Sequence, residues 1–324
     1  MKRIIIQGAG FTDNFGDVLF YDIFLKECIK QRIEADLLRI SNKVSRHLPY
    51  KEEEKGNFIK RIKRADGIVF IGGGYLGEPP HLTKRLKFMW GLRTIKNILY
   101  IVPFCIFFRK KIIIIGAGAG PITNPITRGI VKIMANYSEK TILRDYESLN
   151  FLKSLGVEQS KLIESVDTAI LIRNYYDIEE VNIEDQNSII LHLSESPDNS
   201  EKISVLVNDV DQFLKENPKY KLKAITDHNG GGQNRAIDFL KEKYKDKIET
   251  HIYESPEKLI NFINNSSIVI TNKLHVAIVS STLGKSVISV PIHAKVKRYF
   301  KQINESERCI PLKDLQEGEI LKLL

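Results

Sequence analysis

The chain has 324 residues, 43% of them hydrophobic and 27% charged, with glycine and proline near average usage. That composition argues against a disordered or fibrous chain and allows two domains with a core each. The formal net charge of +9 raises nucleic acid or an anionic surface as a partner, so its placement matters more than its size. Three cysteines, Cys28, Cys105 and Cys309, have neither paired nor metal-like spacing, and the start MKRIIIQGAG reads as a strand and glycine turn, not a signal peptide. A reducing, cytoplasmic setting is expected, with no metal site. The longest apolar run, 98–108, is too short to cross a bilayer.

In chain order, Ile4, Ile5 and Ile6 form an apolar strand ended by Gly8 and Gly10, followed by an amphipathic helix through FGDVLFYDIFLKECI. A dinucleotide fingerprint would need glycine where Asp13 stands, so no nucleotide cofactor is expected. Asn14, Gly16 and Asp17 fall at the loop-to-helix junction, where such sheets face their ligands, with capping as the competing role for Asp17. Residues 36–40 read as a second strand and 51–64 as a polar helix. Residues 67–71 are a third strand, ended by Gly72, Gly73 and Gly74 with Tyr75 beyond, and glycines there permit close approach of a ligand to the backbone. Residues 112–115 repeat the pattern and end in GAGAGP, which brings Gly118 to the same edge. Strand 141–143 then leads to Arg144, Asp145 and a helix closed by Gly156, and strand 161–166 to Asp167 and Thr168.

The excess charge is concentrated. Between residues 79 and 138 there is no Asp or Glu, yet ten Lys and Arg occur there, from Lys84 to Lys132. They flank Phe88, Met89, Trp90, Leu92 and the apolar run to Phe108. A basic apolar insertion over 79–111 fits either a buried helix with a solvated basic face or an interfacial segment, residues 84–111, on an anionic membrane surface. No recognised nucleic-acid motif accompanies it, so nucleic acid is not expected.

The polar stretch 173–187 reads as a linker, with the boundary near 180: one domain over 1–180, a second over 181–324. The second half restarts the alternation, with strands at 188–193, 222–226 and 248–253 and helices at 202–216 and 233–244. The last unit carries the most chemistry. Residues 266–270 form a short β-branched strand, Thr271 and Asn272 can cap a helix, and Gly284 stops it. Lys273 and His275 then sit in the first helical turn, where outward N–H groups and the helix dipole favour a phosphate or carboxylate. His192, and Asp227 with His228 ahead of Gly230–Gly232, end their strands on the same side. Strands alternating with helices throughout predict an α/β fold of two Rossmann-like, doubly wound domains facing each other across a cleft.

Six segments resemble the polysaccharide pyruvyl transferase family in order and spacing: DNFGDVLFYDIF, IGGGYLGE, GAGAGPI, LRDYESLNFLKSLGV, SVDTAIL and TNKLHVAIVSSTLGKSVISVPIHAKVKRYF. The resemblance implies a GT-B-like architecture, an N-terminal acceptor domain, a C-terminal donor-binding domain, and transfer of pyruvyl from phosphoenolpyruvate to a sugar diol as a cyclic ketal. The acceptor would be a sugar of a surface polysaccharide or its lipid-linked glycan precursor. Phosphoenolpyruvate is then a substrate, and no cofactor is implied. His275 would be acid or phosphate partner and Asp17 the base. Lys273, Asn272, Asn14, Gly16, Gly72, Gly73, Gly74, Tyr75, Gly118, His192, His228, His293 and Lys295 would contact substrates. The family commonly has arginine where Lys273 stands and near His192, and tyrosine where His293 stands. Lysine replaces a two-pronged grip on an anion by a point charge. Two alternatives stay open, a GT-B-type glycosyltransferase using a nucleotide sugar and a non-catalytic membrane-surface scaffold. The oligomeric state is open.

Overall fold

A computed structural model describes residues 2–48, 57–79, 82–181, 187–195 and 201–324. Two compact units result, Met1–Thr168 and Ala169–Leu324, where the sequence placed the change near 180. The segment from Ala169 to Tyr175 goes with the second unit, where Arg173 Nε donates to Thr282 O at 2.9 Å. Part of the expected linker lies outside the described residues.

Unit 1 begins with β1 (Arg3–Gln7), α1 (Phe15–Lys30), β2 (Glu34–Leu37), the single turn α2 (Asn42–Ser45) and α3 (Phe58–Arg64). The first half of the helix expected over 51–64 lies outside the described residues. Next come β3 (Gly67–Leu76), α4 (Lys84–Asn97), α5 (Val102–Phe107), β4 (Lys111–Ala119), α6 (Pro125–Tyr137), β5 (Lys140–Leu143), α7 (Tyr146–Ser154) and β6 (Leu162–Glu164). All strand pairs are parallel, in the order β2-β1-β3-β4-β5-β6. Helices cover the sheet, so its strands are near-continuous Ile, Val and Leu runs.

The glycine segments correct one expectation. They are not turns: β3 and β4 continue through them, pairing Gly73 with Ala117 and Leu76 with Ala119 across a register shift. The missing side chains are replaced from elsewhere. A Cβ on Gly72 would lie 2.9 Å from the Phe20 ring, and one on Gly118 would lie 2.6 Å from the Arg144 guanidinium. Both strands therefore continue, irregular at Gly73 and Gly116, while neighbouring side chains fill the space.

Unit 2 opens with the short helix α8 (Ile172–Tyr175) and continues with β7 (Ser188–His192), α9 (Glu201–Glu216), β8 (Lys221–Ile225), α10 (Gly231–Tyr244), β9 (Ile248–His251), α11 (Pro256–Asn264), β10 (Ile268–Thr271), α12 (Leu274–Thr282), β11 (Ser286–Ser289), α13 (Ala294–Gln302) and α14 (Glu319–Leu323). Its sheet is parallel with order β11-β10-β7-β8-β9. Strands β7, β10 and β11 bury nearly every residue, because α9 and α12 cover the sheet with apolar side chains. Among the described residues no helix is long and apolar enough to cross a membrane, and the three cysteines are buried and free.

Candidate functional site

In an open parallel sheet the ligand crevice lies outside the carboxyl ends of the strands, where the strand order reverses. In unit 2 the chain winds outward from β7 in one direction through β8 and β9, then returns to β7's other side with β10 and β11. The reversal therefore falls between β7 and β10. His192 ends β7 and is register partner of Thr271, which ends β10. The pair is joined across the reversal by His192 Nδ1 and Thr271 Oγ1 at 3.0 Å. Thr271 Oγ1 also accepts the Lys273 N–H at 3.1 Å, which turns the chain into α12.

The next strand supplies the hub of this edge. Asp227 follows β8 and is 3% exposed. Its Oδ1 accepts from His228 Nδ1 at 2.9 Å and from the Gln233 amide, while its own backbone N–H donates to Gln233 Oε1 at 2.8 Å. His192 Nε2 stands 3.7 Å from the same oxygen. Burial alone would raise the Asp227 carboxyl, but the His228 hydrogen bond, the Lys273 charge and the Gln233 amide outweigh it. The carboxyl is held well below the usual carboxylate range. His192 behaves in the opposite way for a base. Full burial, assisted by the Lys273 charge, pushes it down to about 4 in spite of Asp227, so it is neutral at pH 7.

With Asp227 ionised, His228 must carry its proton on Nδ1, which leaves Nε2 to exchange protons. The His228 side chain is 31% exposed and packs over Gly230, where a Cβ would lie 2.3 Å from Nε2. Asn272 Nδ2 donates to Ser194 Oγ at 2.6 Å and so ties the β10 end to the segment after β7. His275 lies in the first turn of α12, 9% exposed, next to Lys273. His293 immediately precedes α13, beyond β11, and Lys295 lies in its first turn; both are half-buried and α13 packs on α12. Lys273, Asn272, His275, His192, His228, His293 and Lys295 thus all lie along the carboxyl edge of one sheet.

In unit 1 the reversal falls between β1 and β3. Asn14 Oδ1 accepts from Gly16 N at 3.1 Å and caps α1, and Asp17 follows in its first turn. Asp17 lies near enough to Tyr21 to add to the rise that burial imposes on that phenol. Gly73 adopts a φ of 117°, and the space a Cβ would take at Gly74 is open. Three expected contacts are turned away from ligands by packing. Tyr75 is buried and its phenol donates to Ile71 O at 2.9 Å, Gly72 lies under Phe20, and Gly118 lies under Arg144. Arg144 in turn bridges Asp167 at 3.1 Å and Asp145 at 3.7 Å, all three buried, in a role that holds strand ends together.

Sequence reasoning placed Asp227 beside His228 at a strand end and read Thr271 as a helix cap, but it gave no role to Gln233 or Ser194 and did not identify Asp227 as the hub. The DHNGGG run after β8 was the available signal, since an acid beside a histidine before three glycines is an unusual way to enter a helix.

The family model described as polysaccharide pyruvyl transferase matches residues 14–293. Among curated proteins, the amylovoran biosynthesis protein AmsJ of Erwinia amylovora is 20% identical over 294 residues, covering 82% of this chain and 66% of that protein. The chain thus spans just under two thirds of that relative's length. Among solved structures, the UDP-GlcNAc 2-epimerase of Methanocaldococcus jannaschii, in complex with UDP-GlcNAc and UDP, gives a TM-score of 0.61 at 13% identity, covering 100% of this chain and 91% of that one. The S. aureus MnaA–UDP co-structure gives 0.60 at 13% identity, covering 98% and 94%. At such identities the likeness is one of fold, a GT-B-like pair of parallel α/β units.

Proposed function

Because the chain belongs to the polysaccharide pyruvyl transferase family, we propose that it transfers pyruvyl from phosphoenolpyruvate to a sugar of a surface polysaccharide or its lipid-linked precursor. The observation that carries the reading is the cationic, imidazole-rich carboxyl edge of unit 2 at its strand-order reversal. Phosphoenolpyruvate offers two anionic groups, and Lys273 with the first-turn amides of α12 supplies a positive end for them. Asp227 offsets part of that charge, but its Oδ1 is engaged by His228 and Gln233.

Ketal formation consumes two hydroxyls of the acceptor. One hydroxyl oxygen bonds to C2 of phosphoenolpyruvate as a proton reaches C3, turning the methylene into a methyl. The second oxygen then displaces phosphate from C2. Of the two hydroxyl protons, one is matched by the proton gained at C3 and the other leaves with phosphate. A positioned acid is needed for C3. His228, held by Asp227 and one-third exposed, suits proton transfer better than the nine-tenths buried His275. We therefore assign His275, with Lys273, to the phosphate, and keep Asp17 as the base for the acceptor hydroxyl. His192 is a neutral spacer between Thr271 and Asp227, and His293 and Lys295 supply the outer rim. No cofactor enters the reaction as written.

The test is phosphate release from phosphoenolpyruvate in the presence of a pyranose diol acceptor. Lys273→Ala, His275→Asn and His228→Asn should each lower it by about 100-fold or more. Unchanged release in all three would remove the assignment. One observation favours a second reading: the solved neighbours carry UDP or UDP-GlcNAc on this fold. A glycosyltransferase with a nucleotide-sugar donor would be stabilised in a thermal-shift assay by UDP and not by phosphoenolpyruvate, and the proposed transferase would show the reverse.

A further inference from the structure

Helix α4 is anchored on one side and bare on the other. Trp90 Nε1 donates to Gly77 O at 3.2 Å, Asn124 Nδ2 donates to Phe88 O at 3.1 Å, and Gly91 lets α6 approach so closely that a Cβ there would lie 2.6 Å from Thr127 Oγ1. Only Gly91 and Thr94 are buried. The opposite side exposes large apolar residues, Leu86 at 51%, Phe88 at 43%, Met89 at 55% and Leu92 at 36%. On α6, packed beside it, Ile126 and Ile133 are also more than half exposed. Isolated exposed apolar residues are ordinary, but four within seven positions of one helix are a patch.

Cations lie among and beside those side chains, and the segment itself carries no acid. Lys84, Arg85, Lys87, Arg93 and Lys96 all lie on α4, Arg128 and Lys132 lie on α6, and no Asp or Glu occurs between residues 79 and 138. None of the α4 cations forms an ion pair among the described residues. A protein partner or a second copy of this chain would have to cover the apolar side chains while meeting this one-signed rim. An anionic bilayer does both at once, with acyl chains for Phe88 and Met89 and headgroup phosphates for the cations around them.

We propose that the exposed face of α4, extended by α6, docks unit 1 onto the surface of an anionic lipid bilayer. This deepens the proposed function and rests on it in one respect: it selects a lipid-linked glycan, held at that surface, as the acceptor. The face does not span the membrane, since α4 is 14 residues long and carries five cations.

The test is co-sedimentation of the full chain with vesicles of phosphatidylcholine, alone or mixed with phosphatidylglycerol. Binding should require the anionic lipid and weaken with salt. Phe88→Glu with Met89→Glu should weaken partition at least about tenfold, since two exposed apolar side chains lose their place in the interface. Arg85→Glu with Arg93→Glu should weaken it about 30-fold or more, at about fivefold for each cation removed. Both variants change only exposed side chains and should keep the wild-type thermal melt. Absence of wild-type binding to the mixed vesicles, or equal binding by wild type and both variants, overturns the proposal. So does a wild-type dimer that the Phe88 and Met89 substitutions dissociate, because a second copy would then cover the face. Phosphate release with a water-soluble acceptor is assayed in parallel. Vesicle binding without release removes the transferase reading and leaves the docking face standing, whereas release without vesicle binding removes the docking face alone.

Discussion

Replacing His192 with asparagine should flatten the acid limb of the protein's stability. His192 is fully buried, and its pKa falls from the ordinary 6.5 to about 4. Between those values the unfolded chain binds a proton at this residue that the folded chain does not. Stability from this source is therefore fully present above about pH 6.5 and is lost as the pH falls toward about 4. The full difference corresponds to about 3 kcal/mol, and integration from pH 7 to pH 5 gives about 2 kcal/mol. Urea unfolding of wild type and His192→Asn at both pH values measures it. His251 is shifted in the same direction by burial and adds its own slope to both proteins, so the informative quantity is the difference between their slopes. Asparagine can keep a hydrogen bond to Thr271 but cannot titrate. The wild type should lose about 2 kcal/mol more than the variant between pH 7 and pH 5. Equal losses would refute the placement of a neutral imidazole at this strand end, as would a His192 titration near its ordinary value followed by NMR.

Asp227→Asn replaces charge-assisted bonds from His228 and Gln233 with neutral ones and should cost about 2 kcal/mol at pH 7 in the same urea assay. Because the folded Asp227 carboxyl lies below its unfolded value, its contribution is present above about pH 4 and is lost at lower pH; the asparagine variant should lack that final loss. Arg144→Met leaves Asp145 and Asp167 buried without their cation and should cost about 3–5 kcal/mol, read as a lower Tm, with Arg144→Lys recovering only part. Gly72→Ala should cost about 1–3 kcal/mol by forcing the Phe20 ring aside, and Phe20→Leu added to it should recover stability relative to the sum of the single changes.

The alternation of strand and helix was legible because each parallel strand is buried on both faces and must be written as a short run of Ile, Val and Leu. Ile4–Ile6, 67–71, 112–115 and 266–270 stand out for that reason. What was not legible is where such strands end when glycine follows. Glycine commonly breaks a strand, and only the arrival of Phe20 from α1 and Arg144 from the end of β5 shows that Gly72 and Gly118 are places where another side chain comes in. The same physics removed Tyr75 from the expected contacts, since a phenol that reaches a backbone carbonyl four residues back is satisfied inside the core.

The candidate site divides along a similar line. That a helix opens around Lys273 and His275 after a buried strand follows from periodicity, a local signal, although the N-cap is Lys273 itself and neither Thr271 nor Asn272 caps α12. That His192 belongs with them depends on β7 pairing with β10, residues 79 apart in sequence, and no local pattern encodes that pairing. Asp227 is more hidden still, because its importance lies in how its bonds are shared. Its Oδ1 is taken by His228 and Gln233, His192 beside it is neutral, and its negative charge interacts with Lys273. A buried acid beside an anion site works against the anion bound there. Its placement is intelligible only if it acts on the imidazole of His228, and that is why proton transfer is assigned to His228 and anion binding to the start of α12.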